Sequence, residues 1–124
     1  MLVQALYLFY SPAFLKLVHT GVKMRPNHNI WKHKRQFRLF EAACLLADAE
    51  PIARFSDMDG DSQAWYSGLC EALVLNEIER IPTRLDDSRT HSDGSYSPYE
   101  YTMIGVESLK AFCEARKRRP EFLM

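Results

Sequence analysis

Apolar positions along the chain fall into blocks separated by polar stretches, and the spacing inside each block predicts its element. Phe37, Phe40, Cys44 and Ala47 recur at helical spacing, with Leu39, Ala43 and Leu46 widening the stripe. They predict a packing helix with two distinct sides over residues 38–50, stopped by Pro51, which disfavours helical backbone at the residue before it. Trp65, Leu69, Ala72 and Leu73 predict a second helix. Asp61 or Ser62 would cap its start, and Asn76, which tolerates left-handed backbone, would stop it. Gly68 inside that helix costs about 1 kcal/mol relative to alanine. Ile78 and Ile81 suit a short extended piece before Pro82. Tyr99, Tyr101 and Met103 alternate with Glu100 and Thr102, which predicts a strand. Val106, Leu109, Phe112 and Cys113 predict a last helix closed by Pro120. Its cations Lys110 and Arg116, Lys117, Arg118 and Arg119 fall on the exposed face and C-terminal end, where positive charge suits the helix dipole. The predicted core is the first stripe, Phe40 included, packed on Trp65, Leu69 and Leu109.

Two stretches stand apart from these blocks. Met1 to Leu15 carries no charge and is rich in Leu, Tyr and Phe. Leu2, Ala5, Leu6, Phe9 and Ala13 would form a helical stripe, the preferred reading; Val3, Tyr7 and Phe9 equally suit an extended strand. Pro12 and Lys16 interrupt the run well short of the ~20 apolar residues of a membrane span. A basic leader region and a small-residue cleavage site are also lacking. Met24-Arg-Pro-Asn opens a sharply more polar composition, so residues 1–23 also read as an extension ahead of an alternative start. From Thr83 to Pro98 the chain is rich in Asp, Ser, Arg, Thr and His, with a turn signal at Asp93-Gly94. That predicts a mobile loop or a hairpin tip at 83–98. The whole is one domain over residues 1–124, its core in 24–124, mostly α with a small β element.

Composition narrows the function classes. A chain of 124 residues, 47% hydrophobic and 12% aromatic, can build one real core. Sixteen basic residues balance sixteen acidic ones, so electrostatic recognition must come from local patches. Cys44, Cys70 and Cys113 are scattered among apolar neighbours, with no CxxC spacing. They read as buried free thiols of a cytoplasmic protein.

The strongest patch is Asn27-His-Asn-Ile-Trp-Lys-His-Lys-Arg-Gln-Phe-Arg38. Arg25, Lys32, Lys34, Arg35 and Arg38 crowd around Trp31, whose ring offers a stacking face while the cations offer partners for phosphate or carboxylate. The alternative is that Trp31 staples the start of the helix while the cations are simply solvated. Asp57, Asp59 and Asp61 form an acidic patch that resembles the opening of a calcium loop. Ser62 and Gly68, however, stand where that loop needs Gly and Glu, and an acidic turn capping the next helix fits better. His19, His28, His33 and His91 lack metal-ligand spacing and read as surface residues. There is no nucleophile elbow and no glycine-rich phosphate loop, so no cofactor and no catalytic constellation are expected.

The run Arg38-Leu-x-Glu-Ala-Ala-x-Leu-Leu-x-x-x-Glu-Pro51, with Val106-Glu-Ser-Leu-Lys-Ala-Phe-Cys-Glu-Ala-Arg-Lys-x-x-Pro120-x-Phe-Leu, is similar to small bacterial proteins of prophages, plasmids and other mobile elements. The likeness runs from residue 30 onward. The same order also resembles excisionase-type winged helices. That resemblance implies a Glu-Ala-Ala-x-Leu-Leu helix followed by a recognition helix at 63–75, a turn at Asn76-Glu77-Ile78, a β wing at 83–98 and a closing helix. Two features depart from the pattern: the connection from Asp48 to Asp61 is longer than a helix-turn-helix turn, and residues 63–75 carry Glu71 and no Lys or Arg. The expected function is a non-enzymatic binding module, either a regulatory protein that binds nucleic acid through the basic cluster or an inhibitor that binds a host defence protein, as anti-CRISPR proteins do. No membrane partner is expected.

Overall fold

A computed structural model of the chain describes residues 25–124. The apolar N-terminal stripe of Leu2, Ala5, Leu6, Phe9 and Ala13, its strand alternative and the Met24 start lie outside the described residues. Among the described residues, four α-helices and three strands follow in the order α1 (His28–Trp31), β1 (Gln36–Arg38), α2 (Leu39–Leu46), α3 (Gly60–Val74), β2 (Arg80–Ile81), β3 (Met103–Gly105) and α4 (Val106–Ala115). Short 3-10 segments lie at Phe55–Asp57, Arg84–Arg89 and Glu121–Leu123. The fold is α+β: helices packed on a small antiparallel sheet with strand order β1-β3-β2.

Phe37 anchors the sheet to the helices. It sits on β1 opposite Ile104, and both are fully buried, while its neighbours Gln36 and Arg38 face out. The predicted helix therefore starts late: Phe37 and Phe40 are three residues apart but belong to different elements. Glu41 fixes the transition, because its carboxylate accepts the Arg38 backbone N–H at 2.8 Å and so satisfies a donor exposed at the helix start.

The helix also ends early. Asp48 adopts φ 58°, its N–H donates to the Leu45 carbonyl at 3.0 Å, and the Ala49 N–H donates to the Cys44 carbonyl at 2.8 Å. These bonds form a Schellman turn, so Pro51 is not the stop. Asn76 (φ 60°) ends α3 in the predicted way, with Glu77 N–H on the Ala72 carbonyl at 2.8 Å. Lys117 (φ 57°) does the same for α4, with Arg118 N–H on Cys113 at 2.8 Å. Helix α4 thus stops at Ala115, ahead of Pro120, and Lys117 to Arg119 lie beyond the helix whose end they were expected to decorate.

Helix α2 is buried on nearly every side. One flank joins Phe37, Leu69, Leu73, Ile78, Ile104, Leu109, Phe112 and Phe122 in the main core; the other, through Cys44, packs on Ala49 and Met58 with Phe40 and Tyr66. The two distinct sides read from the sequence are thus two cores. Phe40 lies in the smaller cluster and is only half-buried. The predicted strand at 99–103 is displaced: β3 begins at Met103, and Thr102 N–H bonds back to the Tyr99 carbonyl at 3.0 Å, a turn.

Candidate functional site

The predicted cationic cluster divides between two grooves, with Lys32 lining neither. Lys34, Arg35 and Arg38 line a groove of about 340 Å³ along β1, with Gln36, Glu41 and Met103. Lys34 is partly committed within the protein, its Nζ lying 3.3 Å from both oxygens of Glu41 and 5.1 Å from the Trp31 ring centre. Lys32, Arg35 and Arg38 are exposed and make no ion pair among the described residues. Trp31 is half-buried against the main core. Its body therefore staples α1 to the domain while Lys34 covers its ring.

Arg25 belongs elsewhere. Its Nε lies 3.0 Å from Asp48, at the far end of α2, and it lines a second groove of about 530 Å³ with His28, Asp48, Lys117, Arg118 and Arg119. His28 was expected at the surface, yet its side chain is only 11% exposed. Its Nε2 lies 2.9 Å from Asp48 and 3.2 Å from Glu121, which ties α1 to α2 and to the C-terminal turn. Partial burial works against the Asp48 anion, but the His28 hydrogen bond and the Arg25 charge hold its carboxyl below the usual range.

The sequence reading missed an aromatic ladder beside β1. Phe40 and Tyr101 meet edge to face at 5.9 Å, and Tyr101 meets Tyr99 at 5.9 Å. The Arg38 guanidinium lies 5.9 Å from the Tyr101 ring centre and that of Arg89 lies 4.7 Å from Tyr99. The density of Tyr between positions 96 and 101 was the available signal; placing these residues on a strand hid their cluster.

Of the two readings of residues 83–98, a mobile loop or a hairpin tip, the chain takes the second between Thr90 and Tyr96. Asp86, 4% exposed, accepts hydrogen bonds from Arg80 Nη1 at 2.9 Å, Thr83 N–H at 2.8 Å and the Tyr96 hydroxyl at 2.8 Å. Burial, with Asp86 close by, pushes the Tyr96 phenol up to about 12, so it stays a donor. A bridge between Thr90 and Tyr96 closes the excursion, and Gly94 (φ 88°) makes its tip.

The acidic patch has structural duties. Asp59 caps α3 by accepting the Ser62 N–H at 3.0 Å, and Asp57 lies 3.9 Å from Arg54; Asp61 sits in the first turn of α3. No group of three or more His, Cys, Asp or Glu among the described residues is placed to hold a metal ion. Cys44 and Cys113 are buried and Cys70 half-buried, all free. Burial pushes the Cys70 and Cys113 thiols up to about 11 and raises Cys44, which keeps all three protonated and unreactive at neutral pH.

The outward positions of α3 are Gly60, Asp61, Ala64, Ser67, Glu71 and Val74. They offer no cation where a recognition helix would meet phosphates. No helix among the described residues is long and apolar enough to cross a membrane. Comparison with protein-family models, curated proteins and solved structures finds no match for this chain.

Proposed function

We propose that the protein is a non-enzymatic binding module, a small cytoplasmic regulatory protein of a mobile genetic element that associates with nucleic acid through the cationic face of β1. The observation that carries this reading is that Arg35 and Arg38 share the β1 groove, both exposed and without carboxylate partners among the described residues, with Arg38 5.9 Å from the Tyr101 ring centre and the exposed, unpaired Lys32 shortly before them in the chain. Exposed cations attract phosphates at long range, and an adjacent aromatic face adds stacking. Helix α3 serves as scaffold in this reading, since its outer face is uncharged apart from Glu71 and its first-turn Asp61. Three protonated free thiols suit a reducing compartment.

The test is fluorescence anisotropy with labelled duplex and single-stranded DNA. Lys32→Glu/Arg35→Glu/Arg38→Gln should lose binding while keeping the wild-type circular dichroism spectrum. Lys34 is left in place because it supports Glu41.

A protein-binding inhibitor of host defence, anti-CRISPR-like in action, is the second reading. The exposed Val74 (59%) and Leu75 (58%) at the end of α3 favour it, because exposed apolar side chains suit a protein surface better than phosphates. A target captured from host lysate after nuclease treatment would support it.

A further inference from the structure

The Schellman turn at Lys117 changes what the C-terminal basic run can do. Four successive cations on a helix would point in four directions around its axis. Here the helix ends, and Arg116 folds back: its guanidinium lies 3.7 Å from the Phe112 ring centre and 3.4 Å from Glu77. Lys117, Arg118 and Arg119 continue outward, all exposed and without ion pairs among the described residues. Pro120, extended at φ −67° and ψ 144°, carries the segment on to the turn Glu121–Leu123.

This segment is a ridge between two grooves. On one side is the groove of about 530 Å³ that it shares with Arg25, His28 and Asp48. Four cations there face two carboxylates, Asp48 and Glu121, which leaves an excess of positive charge. On the other side is a groove of about 320 Å³ whose floor is Cys113, Leu123 and Met124, the last 77% exposed, with Lys110 and Glu114 at its edge. Arg118, Arg119 and Pro120 line both. The walls are held in place, because His28 bridges Asp48 and Glu121, α1 packs on the C-terminal turn, and Phe122 meets Phe37 edge to face at 5.2 Å.

A cationic trough beside a groove with an apolar floor, the two sharing a wall, matches a polymer that carries an anion and a flat apolar face in each repeat. We propose that single-stranded nucleic acid lies across this ridge, its phosphates in the trough of Arg25, Lys117, Arg118 and Arg119 and its bases against the apolar floor at Leu123 and Met124. Phosphates paired by Lys and Arg release counterions, and unstacked bases cover apolar surface that a duplex would keep inside its own stack. A duplex would offer this ridge phosphates alone. The proposal rests on the nucleic-acid reading above and adds a second site and a strand preference to it.

The experiment titrates labelled oligothymidylate into the full chain, with a duplex of equal length and inorganic polyphosphate as competitors. Lys117→Glu/Arg119→Glu, which spares Arg118 and its position 5.4 Å from the Trp65 ring centre, should weaken single-strand binding by about tenfold or more through lost phosphate contacts. Met124→Ser should weaken it several-fold and leave polyphosphate binding unchanged. The duplex and polyphosphate should each compete more weakly than unlabelled oligothymidylate. Wild-type affinity in the Lys117/Arg119 variant, with loss confined to the β1 variant, overturns the ridge site alone. Equal competition by polyphosphate overturns the base-binding half. Failure of the wild-type chain to bind any nucleic acid overturns both this inference and the reading beneath it.

Discussion

Lys34 Nζ lies 3.3 Å from both carboxylate oxygens of Glu41, and that carboxylate also accepts the Arg38 backbone N–H at 2.8 Å. One cation of the sequence-predicted cluster is thereby part of the joint between β1 and α2. Glu41 is 5% exposed, so its removal leaves a poorly solvated N–H without an acceptor. Glu41→Ala should destabilise by about 1–3 kcal/mol in urea unfolding, and Lys34→Ala by under about 1 kcal/mol. An unchanged midpoint for Glu41→Ala would show that the joint holds without this carboxylate.

Phe37 and Phe40 separate the two cores energetically. Phe37 is fully buried between β3 and Phe122, whereas Phe40 is half-buried against Tyr101. Phe37→Ala should cost about 3–5 kcal/mol, the value for a large aromatic in a closed core. Phe40→Ala should cost clearly less. Thermal melts in the reverse order would contradict this placement.

Asp86 organises the excursion before β3. Asp86→Ala strips acceptors from Arg80, Thr83 and Tyr96 at once and should destabilise by about 3 kcal/mol. Limited trypsin digestion supplies a local readout. In the wild type, Arg84 is the exposed site, while Arg89 is held by the Ser97 and Pro98 carbonyls at 3.0 and 3.3 Å. Cleavage at Arg89 should be slow in the wild type and fast in Asp86→Ala. Equal rates at Arg89 in both proteins would mean that Asp86 does not order this segment.

Asp48 gives the fold an acid-sensitive contact. Its carboxyl, held low by His28 and Arg25 against the opposing effect of burial, contributes full stability above the ordinary carboxylate range. That contribution is lost as pH falls through the lowered folded value. Asp48→Asn keeps a residue suited to φ 58° and removes the titration. Its urea midpoint should fall less steeply than the wild type below about pH 4. Superimposable pH profiles would remove Asp48 from the acid response.

The helices were legible because their apolar repeats and caps are local. Asn76 as a left-handed stop and the Leu109, Phe112 and Cys113 face followed directly from residue type and spacing. Phe37 was misassigned because a strand residue three positions before Phe40 mimics helical spacing. Asp48 and Lys117 as helix stops were missed because left-handed backbone at an ordinary side chain depends on the bonds that follow it. The basic cluster was legible as composition but not as geometry. Only the packing of α1 on the C-terminal turn sends Arg25 to one groove and Lys34, Arg35 and Arg38 to another.

The salt dependence of nucleic-acid affinity tests the β1 face most directly. Log affinity against log salt concentration should be steep for the wild type. For Lys32→Glu/Arg35→Glu/Arg38→Gln, whatever binding remains should show a slope shallower by about 2–3, since each phosphate contact to duplex DNA contributes about 0.9. Equal slopes and affinities for the two proteins, with the variant folded, would show that Lys32, Arg35 and Arg38 face solvent without touching nucleic acid.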